Sequence, residues 1–393
     1  MNPQPAAQPS PFAEMLATDP FPLYANFRQI APVTKIEAIG LWLILKYDDV
    51  VRALRDPETF SSVVGARQIA GEELPPTMLF NDPPVHTRMR ALVQKAFTPR
   101  VVELQRAAIQ ERTDALVAAM LEHEVVDVVE ELAYPLPITV IAKMLGVEDG
   151  DMPTFKRWSD DILDNIVPIV MTGDDTALAS TNVEFDAYFH EQIERYRRHP
   201  EENLLSGLID VETDEGHLSE DELLMFCRLL LVAGNETTTG LIVNAIRAFA
   251  EFPDALARLR GDMSLLPSAM EETLRFYAPF QAVFRRVTRD VELRGVTIPA
   301  GERCLVMLAS ANRDEEVFER ASEFVIDRDP NRHVSFGMGI HYCLGAPLAR
   351  LEADIALRTL IPRITRVERE GSVPGDLFRP GGPKSYTVRL TRG

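Results

Sequence analysis

The sequence predicts a mainly α fold of the α+β type, formed by one large domain. Helical periodicity runs with few breaks from residue 99 to about residue 251, and strand signals return only late in the chain. Of the 393 residues, 46% are hydrophobic and 26% are charged, an ordinary balance for a globular protein with a large core. No linker, charge block or repeat divides the chain. We therefore expect one domain over residues 13–393, after a loose arm of residues 1–12.

The elements follow from local patterns. A buried strand is predicted over residues 41–45, and a helix over residues 50–54, which Asp48 or Asp49 could cap. The breaks expected in the helical block are residues 134–137, residues 149–151 and the surroundings of Gly173. The late strands are expected at residues 291–298, 304–308 and 386–390. A last helix is expected from Pro347 to about Leu360.

One predicted helix breaks several local rules at once. Ser219 should cap it, Glu222 should complete a capping box, and Pro253 should end it after roughly 30 residues, or about 45 Å. Its first half is apolar nearly all round, so we expect it to cross the interior. Its middle, residues 233–240, nevertheless combines two glycines, three threonines and the carboxylate of Glu236. On this segment alone, a functional site and a kink with threonines bonded to preceding carbonyls are equally good interpretations.

Composition excludes several classes of function. A formal net charge of −19 argues against nucleic acid as a partner. No stretch of about 18 uninterrupted apolar residues is present, so we expect no membrane span. The three cysteines, Cys227, Cys304 and Cys343, are too few and too scattered for a disulfide framework. Because the start of the chain also lacks the pattern of a signal peptide, we expect a cytoplasmic protein.

The segment of residues 336–345 carries the strongest functional signal. Gly337 and Gly339 precede Cys343 and would let the backbone approach something flat and bulky more closely than a Cβ allows. Cys343 then lies at the start of a predicted helix. There the helix dipole and free amide groups stabilise a thiolate, which is the form of cysteine that binds metals.

Other interpretations of Cys343 are weaker. Tyr342 stands where a dinucleotide-binding loop needs its third glycine, and Cys227 and Cys304 have no CxxC partner for zinc. His341 is only two residues away and cannot easily serve Cys343 as the base of a cysteine hydrolase. A structural buried cysteine is the commonest fate of a lone cysteine. Only the flanking glycines favour a ligand over that fate.

These residues resemble a known family. Phe336, Gly337, Gly339, His341, Cys343 and Gly345 resemble the haem-binding loop of the cytochrome P450 family, and the similarity extends over nearly the whole chain. The further matching segments are Ala233-Gly234-x-Glu236-Thr237-Thr238 (the oxygen-activating stretch), Glu272-x-x-Arg275 (the ExxR pair), His86, Arg90 and Arg285 (haem-propionate positions of soluble bacterial members), Ile298-Pro299-Ala300-Gly301 and Ala311-Asn312-Arg313-Asp314. On spacing alone, by contrast, Glu272 and Arg275 would be a solvated helix pair, and the propionate candidates ordinary surface charges.

The resemblance implies a haem-thiolate monooxygenase. The cofactor would be haem b (iron protoporphyrin IX), with the thiolate of Cys343 as the iron ligand. His86, Arg90 and Arg285, together with the loop residues Phe336, Gly337, His341 and Gly345, would bind it. Gly234 would leave room for O2, while Thr237 donates a hydrogen bond and Glu236 relays protons. The reaction would be hydroxylation or epoxidation of a small apolar organic substrate with O2.

The electron donor is also implied by the resemblance. Because 393 residues hold no flavin or ferredoxin module, electrons should come from an acidic ferredoxin and an NAD(P)H-dependent reductase. A positive patch for that ferredoxin is expected from Arg88, Lys95, Arg100, Arg106, Arg332, Arg350 and Arg358. Three other classes stay open: a peroxide-driven peroxygenase, a non-oxygenating haem-thiolate isomerase or dehydratase, and a haem-based sensor or carrier. Retention of Glu236 and Thr237 weighs against the first two, and a sensor would not need Thr237 or an electron partner.

Two points are left undecided by the sequence. Glu323 stands where many relatives carry an arginine that completes a triad with ExxR, and either Arg320 or Arg328 could replace it. The substrate is the second point. The segments expected to border its pocket are residues 63–80, 158–181, 276–284 and 382–386, which would suit a terpenoid, steroid, fatty acyl chain or macrolide.

Overall fold

The structure, a computed structural model, describes residues 19–63, 68–69, 72–73, 77–172, 176–211, 216–371 and 381–393. The arm expected over residues 1–12, and the boundary after it, lie outside the described residues. Gly173, where a helix break was expected, lies outside them too.

Helices dominate the architecture. In chain order they are α1 (Phe21–Ile30), α2 (Tyr47–Arg55), α3 (Val85–Ala96), α4 (Pro99–Leu104), α5 (Arg106–Met120), α6 (Pro135–Met144), α7 (Met152–Thr172), α8 (Ala179–Arg198), α9 (Leu204–Asp210), α10 (Glu220–Glu251), α11 (Pro253–Gly261), α12 (Leu266–Phe276), α13 (Leu308–Ala311) and α14 (Ala346–Leu360). A π-helix at Val129–Ala133 precedes α6, and short 3-10 turns lie at Asp149–Asp151 and Gly339–His341. The break expected at residues 149–151 is therefore confirmed. The break expected at residues 134–137 is limited to Tyr134, because α6 already begins at Pro135.

The strands form small sheets. They are β1 (Val33–Ile36), β2 (Leu41–Ile44), β3 (Phe60–Ser61), β4 (Gln68–Ile69), β5 (Glu72–Glu73), β6 (Val125–Asp127), β7 (Val283–Val287), β8 (Val291–Leu293), β9 (Val296–Ile298), β10 (Arg303–Val306), β11 (Ile364–Arg369) and β12 (Thr387–Arg392). The largest sheet has the order β1-β2-β10-β7-β3, in which only β2 and β10 run parallel. A second sheet has the order β11-β12-β6, and β8 and β9 form a hairpin. The mainly α fold with small sheets is thus confirmed.

The long helix α10 lies at the centre of the core. Ser219 caps it, and Glu222 completes the capping box as expected. Residues 238–249 are buried without exception, whereas Leu229, Leu230 and Val232 in the first half remain partly accessible. Four apolar side chains of this half are buried: Leu223, Leu224, Phe226 and Leu231. The first half therefore crosses the interior as expected, although some of its side chains keep partial access.

Burial in the core accounts for the length and the apolar character of α10. Among the described residues it is the one helix that is long and apolar enough to cross a membrane by length and composition alone. However, 67% of its most apolar window is buried inside the protein, as in the central helix of a globular core. Pro253 ends the helix as predicted, and it also begins α11, because proline is well accommodated in a first helical turn.

Two local expectations are corrected by tertiary contacts. Neither Asp48 nor Asp49 caps α2, since Lys46 precedes the helix without a side-chain cap. Instead Asp314, distant in sequence, accepts a hydrogen bond from the Tyr47 backbone N–H at 2.9 Å and pairs with Lys46 at 3.0 Å. Strand β6 interrupts the block that was expected to be helical. It forms because β12 supplies its partner, with Val126 opposite Val388.

Candidate functional site

The loop that leads to α14 is held by its own backbone. The Cys343 N–H donates to the Phe336 carbonyl at 2.8 Å, and the Gly337 N–H donates to the Val334 carbonyl at 2.8 Å. Gly337 and Gly339 both have positive φ, 69° and 66°, which side chains disfavour. A Cβ on Gly339 would lie 2.7 Å from the Leu54 carbonyl oxygen of α2. At Gly339 the close approach is thus to protein backbone, so the expectation that this glycine makes room for a flat group is wrong.

Cys343 precedes α14 by three residues and carries the candidate sulfur donor. Burial raises the pKa of its thiol, while the backbone N–H groups of Gly345 and Ala346 and the guanidinium groups of Arg90 and Arg350 oppose that shift. These donors and positive charges favour a thiolate. The predicted position of Cys343 at a helix start is therefore confirmed, together with the amide groups that stabilise its anion.

Four basic side chains lie together beside this loop. The rings of His86 and His341 have their centroids 4.3 Å apart. Burial lowers the pKa of His341 to about 3, with further lowering by the charges of His86, Arg285 and Arg90. Arg285 is buried and donates to the Phe284 carbonyl at 2.7 Å.

The side chains of this basic cluster have few hydrogen-bond acceptors among the described residues. Arg90 donates to the Tyr342 carbonyl at 2.7 Å, and His341 shares a hydrogen bond of 2.9 Å with Ser62. Among the described residues, neither ring nitrogen of the buried His86 has a partner. A buried polar group without a partner is costly. The cluster therefore fits a ligand that brings negative oxygen atoms.

Together these groups fit a haem. The sulfur of Cys343 is a donor for iron, and the basic cluster of His86, Arg90, Arg285 and His341 suits the two carboxylates of its propionates. Asp82 is the carboxylate that acts on His86 and Arg285, but it already accepts hydrogen bonds from the Ser61 hydroxyl and the Ser62 N–H. The propionate candidates, ordinary surface charges on spacing alone, are thus brought together with the cysteine loop.

The middle of α10 presents one accessible face. Ala233 is exposed and Thr237, one turn later, is partly exposed, while Asn235, Glu236 and Thr238 are buried. The Thr237 hydroxyl donates to the Ala233 carbonyl at 2.9 Å. The hydroxyl of Thr238 likewise donates to the carbonyl four residues earlier, at 3.2 Å. The threonines therefore bond back along the helix as one interpretation expected, and the functional role of this segment stays a prediction.

Gly234 does not have the role expected of it. A Cβ at this position would lie 2.5 Å from Cδ1 of Ile141, so the glycine allows α6 to pack closely against α10. Ala233 is the small residue that shares the accessible face with Thr237. Sequence reasoning missed Ala233, although the spacing of four residues from Thr237 was a signal that could have identified it.

Glu236 lies beside that face, three residues after Ala233, but it is buried. Its side chain is 5% exposed, and a Cβ on Gly381 would lie 2.6 Å from its Oε2. Gly381 has φ of +83° and donates its N–H to the Pro279 carbonyl at 3.0 Å. A turn with no side chain thus packs directly on the carboxylate. Glu236 and Thr237 are adjacent in sequence but occupy environments of different accessibility.

The ExxR pair is buried. Arg275 donates to Glu272 through Nε at 2.7 Å and through Nη2 at 2.8 Å, and both side chains have no exposed surface. Its remaining bonds go to the backbone carbonyls of Asn312, Ala321 and Glu323. The pair therefore ties α12 to the segment that leads into the cysteine loop.

Arg328 completes this cluster. Its Nε donates to Glu272 at 3.0 Å, and it also reaches the carbonyls of Glu319 and Arg320. Arg320 instead pairs with Glu323 at the surface. Glu323, which stands where many relatives have an arginine, contributes its backbone carbonyl to Arg275. The choice between Arg320 and Arg328 is thereby decided for Arg328.

Much of the expected positive patch is paired with acids. Arg88 pairs with Glu222, Arg106 with Glu103, Arg350 with Glu271 and Arg358 with Asp354. Among the described residues, Arg100 and Arg332 form no side-chain ion pair. The patch is therefore less strongly charged than the count of its arginines suggested.

Comparison with known proteins agrees with this geometry. The family model of cytochrome P450 matches residues 35–374. The cytochrome P450 monooxygenase PikC of Streptomyces venezuelae is 41% identical over 393 aligned positions, covering 96% of this chain and 92% of PikC.

Two solved structures are similar over nearly the whole chain. Cytochrome P450 CYP109Q5 from Chondromyces apiculatus has a TM-score of 0.89 at 38% identity, covering 98% of this chain and 97% of that one. CYP109E1 from Bacillus megaterium, solved in complex with testosterone, has a TM-score of 0.84 at 38% identity, covering 94% of this chain and 99% of that one. The chain therefore belongs to the cytochrome P450 family of haem b monooxygenases.

Proposed function

We propose that the protein inserts one oxygen atom from O2 into a C–H or C=C bond of an apolar small molecule, in the cytoplasm. Electrons would come from a separate acidic ferredoxin and an NAD(P)H-dependent reductase. The observation that carries the proposal is the arrangement of three features in one fold. These are the sulfur of Cys343 at a helix start, a cluster of buried and partly buried basic groups beside it, and a hydroxyl on the accessible face of α10.

The residues around the cofactor have distinct roles in this proposal. Cys343 would ligate the iron, and haem with a thiolate ligand supplies the oxygen-activating chemistry. His86, Arg90 and Arg285 would neutralise the propionates, as cations beside partly buried carboxylates do. Phe336, Gly337, His341 and Gly345 would shape the loop that holds the haem.

Thr237 and Glu236 would hold and transfer protons. The Thr237 hydroxyl already donates to the Ala233 carbonyl at 2.9 Å, so its oxygen is oriented and can accept or pass on a proton at the accessible face. Glu236 is the neighbouring carboxylate, and it is buried. Its proton would reach Thr237 after a side-chain movement or through a water molecule.

The substrate class is a steroid or a similarly rigid apolar molecule. CYP109E1 has been solved with testosterone and with corticosterone, and it is 38% identical to this chain. In the described parts of the expected pocket segments, the large apolar side chains of Leu79 and Phe280 are exposed, 42% and 37% respectively. Exposed apolar surface of this kind is suited to an apolar guest.

The test is a binding screen followed by turnover. Steroids, terpenoids, fatty acids and macrolides are added to the ferric protein, and the shift of the Soret band from low to high spin is recorded. Each compound that binds is then incubated with ferredoxin, reductase and NAD(P)H, and products are identified by mass spectrometry. We expect a steroid to bind and to gain one oxygen atom. Binding of a fatty acid or macrolide alone would contradict the substrate class.

The same assay separates the alternative functions. A peroxygenase would turn over with hydrogen peroxide and gain nothing from ferredoxin. An isomerase or dehydratase would form product without consuming O2, and a sensor or carrier would form no product. Oxygenated product that depends on ferredoxin and O2 supports the monooxygenase.

A further inference from the structure

A second ionic cluster lies against the cysteine loop and has no place in the function described so far. Glu271 on α12 accepts two hydrogen bonds from Arg350 on α14, at 2.7 and 2.8 Å. It also pairs with Nε2 of His333 at 2.9 Å. Glu271 adjoins Glu272 in sequence, but it faces a different set of partners.

The cluster packs directly on the loop that carries Cys343. The guanidinium of Arg350 stacks over the ring of Phe336, 4.4 Å from its centroid. The His333 ring lies 6.0 Å from the same ring, between centroids. Phe336 in turn accepts the backbone hydrogen bond of Cys343. Glu271 therefore fixes two side chains that cover the residue to which Cys343 is bonded.

Arg350 places a positive charge next to the cysteine loop. Its guanidinium covers the ring of Phe336, whose carbonyl accepts the Cys343 N–H. The bond to Arg350 is strong and partly buried: the two side chains are 35% and 28% exposed. Burial opposes the ionised form of Glu271, but hydrogen bonds from Arg350 and His333 outweigh it and lower the pKa of Glu271 to about 2. Both partners are thus charged over the whole neutral range.

We propose that Glu271 and Arg350 are positioning residues that set the reduction potential of the iron bound to Cys343. The inference rests on the ligation by Cys343 proposed above. Reduction adds one negative charge to the haem and its thiolate, so a nearby positive charge favours the reduced state and a negative charge disfavours it. Arg350 raises the potential, and Glu271 both anchors that charge and partly offsets it. This assigns Arg350 to tuning of the iron, whereas its sequence position had indicated a contact for ferredoxin.

The experiment compares two charge-removing variants with matched controls. The midpoint potential of the purified haem-loaded protein is measured by spectroscopic redox titration at constant salt. Glu271→Gln should shift the potential upward, and Arg350→Met should shift it downward. Arg350→Lys, which keeps the charge, should remain nearer to wild type than Arg350→Met.

The controls change the net charge by the same amounts on α14, the helix that carries Arg350. Asp354 and Arg358 form an exposed pair on α14, with the arginine side chain 42% exposed. Asp354→Asn and Arg358→Met should leave the potential unchanged. The reduced CO complex of each variant is recorded as well, because a band at the thiolate position shows that Cys343 still ligates the iron.

Several results would overturn the inference. Unchanged potentials in Glu271→Gln and Arg350→Met, with the thiolate band intact, would contradict tuning while leaving ligation untouched. Shifts of the same sign in both variants, or equal shifts in the controls, would also contradict it. If Arg350→Met slows reduction by ferredoxin at an unchanged potential, the residue serves docking. Absence of the thiolate band in the wild-type protein would instead contradict ligation of the iron by Cys343.

Discussion

The surroundings of Cys343 both disfavour and favour its thiolate, and a bound metal would favour the thiolate. Burial disfavours its anion, while two backbone N–H groups and two guanidinium groups favour it. A coordinated metal deprotonates a thiol outright. We expect the reduced wild-type protein with CO to absorb at roughly 450 nm, and Cys343→His to lose that band while the basic cluster still binds haem. A wild-type CO spectrum like that of a globin would show that Cys343 is not the ligand.

Thr237 is the polar group that reaches the accessible face of α10. Thr237→Ala removes the hydroxyl without disturbing the helix, since its bond to Ala233 is local and alanine favours helices. We expect haem content to be unchanged, while product per NAD(P)H falls roughly tenfold or more and hydrogen peroxide rises. Thr237→Ser is the matched control, because it keeps the hydroxyl. Equal coupling in Thr237→Ala and wild type would show that the hydroxyl is not used.

Glu352 is a buried carboxyl outside the proposed reaction. It lies on α14 with no exposed surface, and neither oxygen has a partner among the described residues. Burial raises its pKa well above the ordinary value. A carboxyl with a raised folded-state pKa holds its proton more tightly when folded. Its contribution to stability is therefore present below the unfolded pKa, about 4.3, and is lost as pH rises towards the folded pKa.

Glu352→Gln should remove this pH dependence, because glutamine stays neutral. We expect the stability of the variant, relative to wild type, to rise between pH 5 and pH 8 by up to about 1.4 kcal/mol per pH unit. Thermal or urea unfolding across that range measures the difference. Glu191→Gln, at an exposed position of α8, should show no such trend. A constant difference between Glu352→Gln and wild type would mean that Glu352 is not held neutral.

At the scale of elements, the Glu272 cluster joins α12 to the segment before the cysteine loop. Arg328→Met removes a buried charge and its bonds to Glu272 and two carbonyls. Breaking a buried pair of this kind costs about 3 kcal/mol, so we expect a clear fall in the unfolding midpoint and weaker haem retention. Arg320→Met removes only an exposed pair and should change the unfolding midpoint little. Equal losses in the two variants would contradict the assignment to Arg328.

At the scale of elements, the two halves of α10 also differ in their burial. Its second half is buried in the core, and its first half keeps several partly accessible side chains. Two close contacts pack the middle of α10 against its neighbours: α6 approaches at Gly234, and Gly381 approaches at Glu236. The helix can therefore carry threonines and a carboxylate without losing its continuity from Glu220 to Glu251.

At the scale of the whole molecule, the net charge of −19 would repel an acidic ferredoxin at long range. Docking would then depend on local cations, and several of the arginines expected there are paired with acids. Arg88 is a poor probe, because its loss would leave the buried Glu222 without its partner. Arg100, at the start of α4, is the better probe, since among the described residues it has no ion pair to break.

We expect Arg100→Glu to slow reduction by ferredoxin several-fold at low salt and to leave substrate affinity unchanged. The effect should fade as salt rises, because the Debye length is about 10 Å at 0.1 M. Arg366→Glu, on the exposed face of β11, makes the same change in net charge and should reduce at nearly the wild-type rate. Stopped-flow reduction across a salt series measures both. Rates independent of salt would exclude electrostatic docking.

The sequence by itself determined the features that depend on neighbours along the chain. The capping box of Ser219 and Glu222, the end of α10 before Pro253, the hairpin around Arg294 and the position of Cys343 before α14 were all predictable. Each is a local pattern, in which a few consecutive residues satisfy their own backbone or present one side chain at a helix start. The resemblance of the cysteine loop then extended those local patterns to a family and a cofactor.

Only the tertiary structure decided which distant groups meet. It selected Arg328 over Arg320, gave the α2 cap to Asp314, brought His86 and Arg285 to His341, and placed Ile141 against Gly234. It also showed that several arginines of the expected positive patch form ion pairs with acidic residues, Arg350 among them. Spacing along the chain does not contain these contacts. The partner of a buried charge is set by the packing of helices that lie far apart in sequence, and an ion pair forms only where that packing brings its two members within reach.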